Sequence, residues 1–177
     1  MRFLYIFCFA LISQNVIAQT IYDVQVQSID GKIINMASFK GKKILIASGS
    51  PDILQKETIQ FLDSLQKVNA SLVIIAVPAS DFGGTQNSAI LTSIENSVKT
   101  SLLITTLSEV KKEGGVSQNA LMQWLTNRSR NSHFDAEVNT DSQLYVISES
   151  GILYCVLEKG APREVVKSVL LQTDIKN

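Results

Sequence analysis

Lys43-Ile44-Leu45-Ile46-Ala47, then Ser50-Pro51-Asp52, then Leu72-Val73-Ile74-Ile75-Ala76-Val77 stopped by Pro78: the fold turns on these three pieces and their order. The first and third are short, uninterrupted apolar runs, the pattern of strands buried on both faces of a sheet. Between them, Ser50-Pro51-Asp52 reads as a helix start. It offers a capping hydroxyl, a proline in the first turn and a carboxylate at the positive end of the dipole. Ile53, Leu54, Phe61, Leu62 and Leu65 carry the apolar side of the helix that follows. Strand, helix, strand within 36 residues is a crossover unit with parallel strands, and such crossovers are right-handed.

Working outward, Tyr22, Val24 and Val26 alternate with polar residues and read as a strand. Asp30-Gly31 is a hairpin turn signal, and Ile33-Ile34 begins the return strand. Phe82-Gly83-Gly84 is a loop, and 87–98 fits a helix. Leu102-Leu103-Ile104 is a short apolar run; 118–125 reads as a helix with Leu121, Trp124 and Leu125 on one face. The polar stretch 126–142 reads as loop. Ser148-Glu149-Ser150-Gly151 joins the runs 144–147 and 152–157 into a second hairpin. Ala161-Pro162 opens a last helix whose buried stripe is Val165, Val166, Val169 and Leu170. A hairpin, a crossover, an antiparallel hairpin and a closing helix predict an α/β, thioredoxin-like three-layer fold. Its central mixed sheet is flanked by helices and preceded by an N-terminal β-hairpin.

Residues 1–18 read differently. Arg2, the uncharged run 3–12 and Val16-Ile17-Ala18 have the order of a secretory signal peptide cut after Ala18. The run is short for a membrane span. The expectation is therefore a 1–18 signal peptide, a single 19–177 domain, and an exported (periplasmic or secreted) protein without a stable span. Sixteen basic residues balance sixteen acidic ones, which excludes nucleic acid as the main partner. With 45% hydrophobic and 18% charged residues, the chain has the composition of a folded domain. Its two cysteines, Cys8 and Cys155, exclude a disulfide framework and a cysteine-rich zinc site. Only Cys155 belongs to the mature domain, so no internal disulfide can form there.

Several stretches resemble the glutathione peroxidase family of the thioredoxin-like superfamily. Phe39-Lys40-Gly41-Lys42 before Ile44-Leu45-Ile46 is similar to its "YKGK" motif, and 76–84, ending Phe82-Gly83-Gly84, to its "FPCNQFGG" segment. Asn119 to Leu125 resembles "AHPLYKWL". The resemblance runs in order through nearly all of 19–177. It implies a peroxidase of the oxidative stress response, with a reactive thiol or selenol at the start of the first helix, where the dipole favours thiolate. Here the chain departs. Counted from Gly41, that position is Ile53; the family glutamine falls on Asp81, and the Trp-Asn pair on Ser132-His133 before Phe134. No cysteine stands between Cys8 and Cys155. Isoleucine has no lone pair with which to attack peroxide.

The expected function is accordingly a binding or scaffold role without thiol peroxidase activity, for a protein or small-molecule partner that the sequence does not name. No cofactor or metal is expected. The alternative is an oxidoreductase that uses Cys155 or a partner's thiol. Cys155, mid-strand, reads as a small core residue. Asp81 and His133 occupy positions that meet in the family. An acid–base pair with Ser50 or Ser132, or a weak metal site with Asp52, is thus compatible with the alignment, against the plainer reading of a solvated loop histidine. Trp124 reads as core. Gly83-Gly84 lacks phosphate-loop spacing. Lys42-Lys43 and Lys111-Lys112 read as solvated charges.

Overall fold

The computed structural model describes residues 19–51, 56–82 and 101–172. The expected helix at 87–98, the Gly83-Gly84 pair, Asp52 and Ile53 lie outside the described residues. A small sheet pairs β1 (Gln25–Gln27) with β2 (Ile33–Asn35), antiparallel, with Gln25 opposite Asn35. Gly31, at φ 82°, makes the turn between them, where Asp30 accepts from the Lys32 amide. The main sheet contains β3 (Lys43–Gly49), β4 (Leu72–Pro78), β5 (Leu103–Ile104), β6 (Gln143–Ile147) and β7 (Leu153–Leu157), in the order β5-β4-β3-β6-β7. β3 runs parallel to β4, with Ile46 beside Ile75, and antiparallel to β6, with Ile46 beside Tyr145. Every residue of β3 and of β4 is buried, as their unbroken apolar runs require.

Side-chain parity sorts these strands into two cores. Ile44, Ile46, Ile75, Val77 and Tyr145 point to one face, where they meet Leu121, Trp124 and Leu125 of α2 (Ala120–Thr126). Leu45, Ala47, Ile74, Ala76 and Val146 point to the other face. There α1 (Lys56–Val68) presents Ile59, Leu62 and Leu65, and α4 (Arg163–Leu171) presents Val166 and Leu170. Helix, sheet, helix is the three-layer arrangement the sequence predicts.

Four local expectations are corrected. Ile21–Asp23 is a 3-10 turn rather than strand, because Asp23 accepts from the Thr20 amide (2.9 Å) and hydroxyl (2.7 Å) and curls the chain, dropping Ile21 into the core. The stretch 126–142 contains α3 (Arg128–Asn131), capped by the Asn127 side chain and ended by Ser132 at φ 64°. Val165 is 41% exposed, so the stripe of α4 narrows to Val166 and Leu170 at i, i+4, with Val169 partly buried against the same core. Lys43 is 3% exposed: its ammonium donates to the Gln172 carbonyl just past α4 and lies 3.6 Å from Glu149.

Candidate functional site

β3 ends at Gly49, and the next residue, Ser50, is buried. Its amide donates to Asp141 Oδ1 (2.6 Å) and its hydroxyl to Asp141 Oδ2 (2.9 Å). Asp141 precedes β6 by two residues, and Ser142 between them sits at φ 71°, a costly conformation for a residue with a Cβ. Lys159, beyond β7, brings its ammonium to 3.9 Å from Asp141 Oδ2. One carboxylate thus laces the ends of three strands together. The hydroxyl expected to cap the first helix donates its proton to that carboxylate.

Asp81, beyond β4, is also consumed structurally. Its Oδ2 accepts from the amides of Val110 (2.5 Å) and Lys111 (3.0 Å), while the Lys111 ammonium lies over the Phe82 ring at 4.8 Å. The carboxylate therefore clasps a neighbouring backbone strip. Ser132 and His133 stand exposed at the end of α3. His133 donates its amide to Asn131 Oδ1 (2.7 Å), and its Nδ1 lies 2.8 Å from the Asn131 carbonyl, so Nδ1 carries the proton in that contact. Among the described residues no hydrogen bond or ion pair joins His133 to Asp81 or Ser50, and no three His, Cys, Asp or Glu side chains gather where they could hold a metal.

Cys155 sits mid-strand in β7, opposite Val146, on the face covered by α1 and α4. It is half-buried, and burial pushes its thiol above the ordinary value. That shift lowers the thiolate fraction at neutral pH, the opposite of what a nucleophile needs. Trp124 is core, and its indole N–H donates to the Gln19 carbonyl at 2.7 Å.

The sequence did not point to Asn131 or Asp141. Asn131 is buried; its amide donates to the carbonyls of Trp124, Leu125 and Phe134, and its oxygen accepts from His133 and Phe134. Asp141's partner Ser50 is 91 residues away, and Asn131, though its partners lie within seven residues, stands in a polar stretch with no periodic pattern to mark it. Beside the Ser50–Asp141 link a cleft of about 450 Å³ opens between α1 and α4. Its floor is apolar, from Ala47, Leu62, Leu144 and Val166, and Lys159 and Arg163 stand on its rim. Arg163 lies over the Phe61 ring at 4.8 Å, a cation–π contact.

No protein-family model matches the chain, and no curated protein sequence matches it. Solved structures do. The apo form of Trgpx superposes with a TM-score of 0.65 at 16% identity, covering 87% of this chain and 94% of its own. GPX1 of T. cruzi gives a TM-score of 0.63 at 17% identity, covering 86% and 95%. A secreted Mycobacterium tuberculosis disulfide oxidoreductase, homologous to DsbE of E. coli, gives 0.54 at 8% identity, covering 85% and 96%. At such identities what is shared is architecture, and the chain has the thioredoxin-like fold.

Proposed function

We propose that this is an exported, glutathione-peroxidase-like binding or scaffold protein that has kept the fold and lost thiol peroxidase chemistry. The observation that carries the reading is Cys155. It is the chain's one thiol beyond the leader-like segment, and it is half-buried in a strand with its pKa raised by burial. Where the family resemblance puts sulfur, the sequence has Ile53. The other family positions are in keeping with this: Asp81 is held by two backbone amides, and His133 faces solvent. Export and a domain beginning at Gln19 are supported by the leader-like segment 1–18. The domain start is also supported by the hydrogen bonds from Trp124 and Arg130 that stitch Gln19 onto α2 and α3. The secreted neighbour agrees with export.

The test is peroxide turnover. Purified 19–177 is mixed with hydrogen peroxide or an organic hydroperoxide and a thiol donor, beside Cys155→Ser. Consumption no faster than the uncatalysed background in both proteins is the expected result. Saturable consumption by the wild type would refute the proposal, and its loss in Cys155→Ser would assign the activity to that thiol.

A further inference from the structure

We propose that the cleft between α1 and α4 binds a small carboxylate carrying an apolar tail, with the Arg163 guanidinium as its anion anchor. This deepens the binding-module reading and rests on it. The cleft's volume, about 450 Å³, is in the range of small-molecule sites. Ala47, Leu62 and Val166, each 2% exposed or less, close its base, and half-buried Phe61 and Leu144 give it apolar walls. Such a floor favours an apolar tail by removing its surface from water.

The rim supplies the sign. Arg163 makes no ion pair or hydrogen bond with a carboxylate among the described residues; its one described side-chain contact is the Phe61 ring. Stacking on a ring holds the guanidinium plane while its N–H edge stays free for a planar carboxylate. Two acidic residues share the rim. The oxygens of Asp141 already accept from the Ser50 amide and hydroxyl, with Lys159 beside them. Glu158 is exposed and opposes an anion, which makes it a test of the ligand's charge.

The experiment is titration calorimetry of 19–177 with octanoate, against octanol and octylamine as uncharged and cationic controls. Octanoate is expected to bind more tightly than either. Arg163→Gln should weaken octanoate about tenfold, the loss of roughly 1.4 kcal/mol, and leave octanol unchanged. Glu158→Gln should tighten octanoate. Leu144→Asn should weaken octanoate and octanol alike by removing an apolar wall, with circular dichroism to confirm the fold; if that variant misfolds, the two exposed-residue variants decide. N-acetyl-leucine in parallel separates a hydrocarbon acid from an acylated amino acid, and binding by either supports the assignment. Absence of binding at millimolar octanoate and N-acetyl-leucine, indifference to Arg163→Gln, or tighter binding of octylamine would each overturn it. Peroxide turnover by the same sample would sink the binding-module reading while leaving these titrations to judge the cleft.

Discussion

Asp141 shows how much a single side chain can settle. Removing its carboxylate leaves the Ser50 amide and hydroxyl, both in a buried residue, without acceptors. Unmade buried hydrogen bonds cost more than made ones gain. Asp141→Ala should therefore destabilise the protein by about 2 kcal/mol in urea titration, whereas Ser132→Ala, at an exposed site, should change it by less than about 0.5 kcal/mol. For Cys155, burial favours the neutral thiol, so alkylation by iodoacetamide at neutral pH should run several-fold slower in the folded protein than in urea. Equal rates would mean that the thiol is as open as an unfolded one. Neither Asp141 nor Asn131 was legible in the sequence. Ser50 and Asp141 are 91 residues apart, and a polar residue in a polar stretch gives no sign of which distant amide it will hold. Asp81 stood out in the sequence, but no pattern there shows that two backbone amides occupy its carboxylate.

The elements were read more successfully, and for a physical reason. β3 and β4 are buried on both faces, so apart from Lys43, whose ammonium finds its own partners, their residues are apolar or small, and the pattern is visible without knowing the partners. Amphipathic elements were read less well: Val165 belongs to the periodic pattern of α4 yet faces outward, because a nine-residue helix buries only the side that meets the sheet. The 3-10 turn at Ile21–Asp23 was hidden because its residues alternate as a strand would. On α1, Asp63 is buried and pairs with Lys67 (2.6 Å, one turn on), and it also accepts from the Ser101 amide and hydroxyl. These bonds, Lys67 foremost, hold its carboxyl down at about 2, against an ordinary 3.8. A folded value below the unfolded one means stabilisation that is complete above pH 3.8 and drains away as pH falls through about 2. Asp63→Asn should thus cost about 1–2 kcal/mol at pH 7, and the two proteins should converge in stability near pH 2. A gap that persisted at that pH would remove the carboxylate from the account. In the β6–β7 turn, Gly151 has φ 85°, and a Cβ there would come within 2.7 Å of the Tyr22 ring. Gly151→Ala should lower stability by about 2 kcal/mol, through both backbone strain and displacement of Tyr22.

At the scale of the whole molecule, the three layers follow from strand parity, and parity is a property of sequence. What sequence could not supply is how the far ends of the chain meet. Lys43 opens the central strand and looked like half of a solvated pair. Its ammonium is instead enclosed between the carbonyl of Gln172 and the carboxylate of Glu149. The last helix is therefore moored, at the end remote from the cleft, by a positive charge that has no route to water except by releasing it. A chain that stopped at Leu171 would leave that ammonium with Glu149 as its one described partner. Undocking of α4 and opening of the wall it gives the cleft would then be one event rather than two.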